Sequence, residues 1–294
     1  MLIANMAEIP FTMYSGAGNL FVIVDAFTNP TVFGKVKLKA LAQTVANRKG
    51  PIGSDGLIVL GRSGRAPFMM NFYNPDGSFG ALCGNGARCA VQAALDFGVI
   101  ASADTNFEVL GELVRAERPT ESTLKVYYND PKKIKLKFKL ALGGELVNCS
   151  YVDLGSQHGI IFFDEVEAFK GKSIEDFDIN TYGQAVRLHK DFEPLGVNAS
   201  FAQVMKDDEG EYIRIRTYER GVEGETLACG TGCMSTAIAA YGLKKVSRLP
   251  IRLKTQSGEF VEVNFSVASD GHISELSLEG SAVRGKSGIL TISD

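Results

Sequence analysis

The chain has 294 residues, 45 % of them hydrophobic and 22 % charged, with a formal net charge of -3 at pH 7. That length admits two ordinary domains, the composition is that of a soluble globular protein, and the weak negative charge gives no reason to expect nucleic acid or an acidic membrane surface as partner. No apolar run approaches the ~18 residues a membrane helix needs, and Met1 to Pro10 lacks the basic region and apolar core of a signal peptide, so cytoplasm is the default expectation.

In chain order, Ser15-Gly16-Ala17-Gly18-Asn19 leads into an apolar strand, Phe21 to Val24, that ends at Asp25. The glycines invite a dinucleotide-loop reading, but a strand follows them instead of a helix, and the reading fails on that context. Lys37 to Ala46 is predicted helical, Gly53 to Leu60 turns into a buried strand, and Phe68 to Tyr73 is a further strand. Asn74-Pro75-Asp76-Gly77-Ser78 then forms a turn, followed by Cys83-Gly84-Asn85-Gly86-Ala87-Arg88 and an apolar segment, Ala87 to Phe97, at helical spacing. Cys83 is therefore expected at a helix N-terminus, where the N–H groups and dipole lower a thiol's pKa and two glycines let a small carboxylate approach.

Short strands are predicted around Phe107 to Arg115 and Leu124 to Tyr128. Lys133 to Leu140 alternates lysine with apolar residues and reads as a solvated strand face; nothing nearby in sequence supplies stacking aromatics that would make it a nucleic-acid patch. Val147 to Asp153 and Gly159 to Phe163 bracket Gly155-Ser156-Gln157-His158, in which the histidine reads as a polar turn residue. Ile174 to Leu188 is largely helical, with an interruption expected near Gly183, and Phe201 to Met205 and Tyr212 to Tyr218 are strands. Glu219-Arg220-Gly221 and Cys229-Gly230-Thr231-Gly232-Cys233 follow, then an apolar helix, Met234 to Leu243, and strands from Ile251 through Leu276 to Leu278 and Gly288 to Ile292.

Five cysteines with no framework spacing do not read as disulfides, and three scattered histidines with no C-x-x-C offer no metal site. Cys89, Cys149 and Cys233 read as small buried hydrophobes. Cys83 and Cys229 are different, because the same arrangement occurs twice: a tyrosine (Tyr73, Tyr218), polar residues and glycines, Cys-Gly-x-Gly, and an apolar helix. The repeat predicts two related domains, residues 1–123 with 280–294 returning to it and residues 124–279, with two helix N-termini and two thiols on opposite walls of one cleft.

Two facing thiols can take a proton from one face of a carbon and return one to the other, inverting the centre. The N–H groups at Gly84-Asn85 and Gly230-Thr231 could hold a carboxylate beside that carbon and stabilise its developing charge. Such a site needs neither pyridoxal phosphate nor a metal, and the sequence has no evident motif for either.

These residues resemble the diaminopimelate epimerase family: Asn74-Pro-Asp-Gly-Ser, Cys83-Gly-Asn-Gly-Ala-Arg, Glu219-Arg220-Gly and Cys229-Gly-Thr-Gly carry the likeness. It extends to Phe11-Thr12, Gly18-Asn19-x-Phe21-Val22-x-x-Asp25, the Gly53-Ser54-Asp55-Gly56 turn and Val197-Asn198. The resemblance implies an α+β fold of two pseudo-symmetric domains, each a β-barrel-like mixed sheet wrapped around a central helix, and a cofactor-independent epimerase acting on LL- and meso-2,6-diaminopimelate in lysine and peptidoglycan precursor synthesis. It implies Cys83 and Cys229 as catalytic acid/base pair, and Asn19, Asn74, Gly84, Asn85, Ser156, Asn198, Glu219, Arg220, Gly230 and Thr231 as substrate-binding residues. Leu20 stands where the family commonly has Asp, and Gly155-Ser156-Gln157-His158 where it has Gly-Asn-Pro-His. The expected partner is a small molecule, and a homodimer is left open. Two alternatives also stay open: a racemase for another amino acid (proline racemase-like or histidine-type), and a thiol redox sensor without enzymatic activity.

Overall fold

The computed structural model describes residues 6–28, 38–47, 50, 52–80 and 83–293; Lys37, the first residue of the first predicted helix, and Met1 to Asn5 lie outside them. The chain divides into two compact units, Met1–Tyr127 with Glu279–Asp294, and Tyr128–Leu278.

In the first unit the strands are β1 (Met6–Gly16), β2 (Asn19–Asp25), β3 (Gly56–Gly61), β4 (Met69–Tyr73), β5 (Thr105–Val109), β6 (Glu112–Glu117) and β7 (Thr123–Tyr127), with the C-terminal strand Val283–Ser293 returning antiparallel to β1. β1 is antiparallel to β2, β2 parallel to β3, β3 antiparallel to β4, β4 parallel to β5, and β5 antiparallel to β6. The parallel β2–β3 step requires a crossover, which carries helix α1 (Leu38–Val45). Its Leu41, Ala42 and Val45 pack with Val22, Val24, Leu57 and Val59 of the sheet. Helix α2 (Gly84–Asp96) is buried on nearly every side and packs against β1, β2, β3, β4, β7 and the C-terminal strand, as a helix wrapped by a sheet must.

The second unit repeats this order. Its strands are β8 (Lys133–Leu142), β9 (Glu145–Asp153), β10 (Gln157–Phe162), β11 (Asn198–Asp207), β12 (Gly210–Glu219), β13 (Gly224–Thr226), β14 (Ile251–Lys254) and β15 (Phe260–Val267), with β16 (Ile273–Ser281) running to the boundary. β9 is antiparallel to β10, β10 parallel to β11, β11 antiparallel to β12, β12 parallel to β14, and β14 antiparallel to β15. The crossover between β10 and β11 carries α3 (Ile179–Arg187), and α4 (Gly230–Gly242) follows β12 as α2 follows β4. Both central helices have 13 residues. The core beneath α3 is aromatic, with Phe163, Phe169, Phe177 and Phe201 in mutual ring contact.

The structure sharpens three local expectations and reverses part of the first. Gly183 does not interrupt a helix. It sits inside α3, where an added Cβ would lie 2.5 Å from Tyr218 Cβ, so the glycine lets the helix close on β12; residues 174–178 are outside the helix, and Asp178 caps it by accepting from the Thr181 N–H. Phe107 to Arg115 is a hairpin, β5–β6, turned by Leu110-Gly111, both at positive φ. The lysines of β8 face solvent as expected, but aromatics do lie beside them: Lys135 Nζ is 4.4 Å from the Phe138 ring and Phe192 stacks on Tyr151. Tyr151 comes from the paired strand β9 and Phe192 from the crossover, so neither is near in sequence.

Candidate active site

Strand registers set the two halves in correspondence. Leu57 pairs with Tyr73 and Val22, as Ala199 pairs with Tyr218 and Gly159. Counting along each strand from these anchors matches Asn19 with Ser156, Phe21 with His158, Gly56 with Asn198, and Asn74 with Glu219. The helix starts match Cys83 with Cys229, Asn85 with Thr231, and Arg88 with Met234. Each cysteine is the residue before its helix, in the same extended backbone (φ -88, ψ 115 and φ -118, ψ 108).

In the first unit, Gly16 of β1 lets the start of α2 come close: a Cβ there would lie 2.8 Å from Asn85 O and 3.0 Å from Cys89 Sγ. Asn85 is buried and donates from Nδ2 to Asn19 Oδ1 at 2.7 Å, while its Oδ1 accepts from Arg88 Nη2 at 2.8 Å. Asn19 Nδ2 reaches Asp55 Oδ2 at 3.5 Å, and the Leu20 N–H donates to the same oxygen at 2.8 Å. Leu20 contributes its backbone here, so the family's Asp is not needed for this bond. Asn74 is held in its own turn, with Nδ2 donating to Ser78 Oγ at 2.9 Å, and no hydrogen bond ties it to Asn19 or Asn85.

In the second unit, Cys229 Sγ accepts the Gly232 N–H at 3.4 Å and lies 3.6 Å from Thr231 Oγ1. Gly232 leaves room for that sulfur, since a Cβ there would be 3.3 Å from it. His158 is fully buried on β10, with Nε2 2.9 Å from Thr231 Oγ1 and 3.4 Å from Asn198 Nδ2. Asn198 also donates to Ser156 Oγ (2.9 Å) and Gln157 O (3.0 Å), and its Oδ1 accepts the Arg220 N–H at 2.8 Å. That last bond fixes which end of the Asn198 amide carries its N–H groups, and those are directed at Ser156 Oγ and Gln157 O; His158 Nδ1 is buried with no hydrogen-bond partner among the described residues. Burial, and secondarily the Arg220 charge, pushes His158 down to about 3, so the ring is neutral. Among the described residues the Arg220 guanidinium makes one hydrogen bond, 3.4 Å to Gly196 O, and Glu219 accepts from Thr226 Oγ1.

One expectation reverses. Burial pushes the Cys229 thiol well above its ordinary value, and the Glu219 carboxylate adds to it; the opposing hydrogen bonds from Thr231 and Gly232 are smaller. Desolvation outweighs the helix terminus here, and Cys229 is a thiol at neutral pH.

Ser156, Asn198, Arg220, Thr231 and Cys229 are thus joined through His158 in one network, and Asn19 with Asn85 in another. Sequence reasoning passed over His158, Arg88, Asp55 and Gly16 as site-builders. The signal for Arg88 was a charge inside an otherwise small and apolar helix face.

A pair of repeated α+β units, each with a buried central helix directly preceded by a cysteine, defines the fold class, and solved structures share it. The solved structure of a phenazine biosynthesis protein of the PhzF family from Bacillus anthracis matches with TM-score 0.71 at 16 % identity, covering 97 % of this chain and 100 % of that one. A hydroxyproline epimerase from Agrobacterium vitis matches with TM-score 0.69 at 14 % identity, covering 98 % and 93 %. At those identities the likeness concerns the fold. The sequence itself goes further: the diaminopimelate epimerase family model matches residues 11–134 and 150–284. The diaminopimelate epimerase of Chlorobaculum tepidum is 34 % identical over 95 % of this chain and 100 % of its own length. The chain belongs to the diaminopimelate epimerase family, and it is an isomerase.

Proposed function

We propose that the protein interconverts LL- and meso-2,6-diaminopimelate by proton transfer between Cys83, Cys229 and the substrate α-carbon, without a cofactor, and so serves lysine and cell-wall precursor synthesis. The observation that carries this is the matched placement of two thiols, each immediately before the central helix of its unit. One sulfur takes the α-proton, and the other delivers its own to the opposite face. Cys229, whose thiol pKa is raised by burial, is suited to deliver a proton.

The α-carboxylate is held by the first N–H groups of the two helices, at Gly84-Asn85 and Gly230-Thr231, where the dipoles favour negative charge. Asn19, Asn74, Ser156, Asn198, Glu219 and Arg220 hold the rest of the substrate. Arg220, with a single long hydrogen bond, has donors to spare for a carboxylate, and Glu219 accepts an ammonium.

NMR of LL-diaminopimelate with the reduced protein in D₂O is the test. Deuterium is expected at the α-carbon with meso product, and both are lost in Cys83→Ala and in Cys229→Ala. Turnover surviving in either variant would sink the two-thiol mechanism. Exchange on proline, hydroxyproline or histidine with none on diaminopimelate would select a different racemase, and a disulfide that switches partner binding, with no exchange in the reduced form, would select the redox sensor.

A further inference from the structure

Arg88 is a guanidinium with no exposed surface, in the second turn of α2. Burying such a charge is costly unless it is paired. Among the described residues no carboxylate pairs with it: Nε donates to Ser281 O at 3.2 Å, Nη2 to Asn85 Oδ1 at 2.8 Å, and Nη1 is buried with no hydrogen-bond partner. The matched position in the second unit is Met234, also fully buried, so the fold itself does not call for a cation there.

What the cation does is visible in the bonds beyond it. A guanidinium can only donate, so the atom of Asn85 that it touches must be the oxygen. The Asn85 NH₂ then faces Asn19, whose own oxygen must accept, and the Asn19 NH₂ is turned toward Asp55. The result is a one-way chain, Arg88 to Asn85 to Asn19 to Asp55, with a cation at its donor end and a carboxylate at its acceptor end. Each amide keeps an unused N–H, so the capacity left over is donor capacity, suited to a carboxylate. Without the cation, only the long contact of Asn19 Nδ2 with Asp55 Oδ2 at 3.5 Å would hold the direction, and Asn85 could turn its oxygen outward by giving up its bond to Asn19.

We propose that Arg88 is a positioning residue that sets the direction of this amide chain and thereby makes Asn85 and Asn19 donors toward an anionic substrate group. This rests on the proposed function for its substrate, and on the hydrogen-bond pattern alone for its direction. The second unit solves the same problem differently, orienting Thr231 through His158.

The test is a double-mutant cycle on diaminopimelate turnover with Arg88→Met, Asn85→Ala and the pair. If Arg88 acts through Asn85, each single change lowers kcat/KM by about 30-fold, and the double variant falls no more than about threefold below the worse single. Multiplicative losses approaching about a thousandfold, or an Arg88→Met variant as active as the parent, would overturn it. Arg88→Lys, which keeps a cation but only one point of contact, is expected within about tenfold of the parent and covers the case in which Arg88→Met does not fold; a lysine variant no better than the methionine one counts against the proposal. Side-chain amide NMR of Asn85 reads the anchor without turnover. Two resolved, exchange-protected Nδ2 protons are expected in the parent and in Arg88→Lys, with loss of that protection in Arg88→Met; unchanged protection in Arg88→Met refutes the anchor even if the substrate were another.

Discussion

His158 Nε2 and Thr231 Oγ1 share a hydrogen bond of 2.9 Å, and the same hydroxyl lies 3.6 Å from Cys229 Sγ. A neutral, fully buried imidazole therefore orients the residue that follows the helix start, and through it the environment of a thiol. Thr231 Oγ1 thus links the ring to the sulfur, and its hydrogen bond to Cys229 opposes the rise that burial imposes on the thiol.

Removing only that hydroxyl tests the link. Thr231→Val keeps the shape but strips Cys229 and His158 of a shared partner, and kcat is expected to fall by about 10- to 100-fold, the range for one lost hydrogen bond in a buried site. Thr231→Ser keeps the oxygen and is expected within about threefold of the parent. Steady-state epimerisation of the two variants, with circular dichroism to establish folding, gives the comparison; a Thr231→Val variant as active as the parent, with the loss in Thr231→Ser, would mean the methyl, not the hydroxyl, matters.

His158 also makes an acid-stability prediction. Its folded value is lowered from 6.5 to about 3 by burial, so between those values the unfolded chain binds a proton that the folded chain refuses. Stability must then rise with pH across this window and be lost as pH falls, by up to about 1.4 kcal/mol per unit. Urea unfolding at pH 6.5 and 5 is expected to show a drop about 2 kcal/mol smaller in His158→Gln than in the parent. Carboxylates with lowered values, such as Glu175 and Asp207, contribute lower on the pH scale and are common to both proteins.

Cys229 is where a local rule lost to its surroundings. The helix position was legible from Cys-Gly-x-Gly followed by a small apolar run, and the structure starts α4 at Gly230. The thiol's acidity was not legible, because desolvation and Glu219, the last residue of β12, outweigh the dipole. Glu219→Gln removes the Coulombic part and leaves the larger burial part. The pH midpoint for iodoacetamide labelling of Cys229, followed by mass spectrometry, is expected to move down while staying above an ordinary thiol's. An upward move would contradict the assignment of causes.

Much of the fold was readable for the same reason the site was only half so. Strand alternation in Lys133–Leu142 and the buried run Gly56–Gly61 are carried by adjacent residues. Arg88, His158 and Gly183 take their roles from partners on other elements: Asn19 and Ser281 for the arginine, Asn198 and Thr231 for the histidine, Tyr218 for the glycine. A single histidine after a glycine turn carries no mark of being buried at the start of a parallel strand pair. The parallel pairing itself, β10 with β11, comes from a crossover that ordinary propensities do not reveal.

Gly16 supplies the sharpest separation of activity from stability. It has no positive φ to accommodate; its hydrogen side chain matters because the first turn of α2 passes directly over it, with Asn85 O and Cys89 Sγ 2.8 and 3.0 Å from where a Cβ would sit. Backbone and a packed sulfur yield less readily than the end of a flexible side chain, so Gly16→Ala must displace the helix start. The cost in stability is expected at about 1–3 kcal/mol, as for other overpacked sites. The displaced turn is the one that carries Gly84, Asn85 and the position of Cys83, and geometry errors of about 1 Å cost roughly a hundredfold in rate. Gly16→Ala is therefore expected to stay folded at 25 °C with native-like circular dichroism while kcat/KM falls by about 100-fold. A variant that loses stability by this amount yet turns over at the parent's rate would show that the α2 start can shift without consequence, and would remove the reason for a glycine at this place.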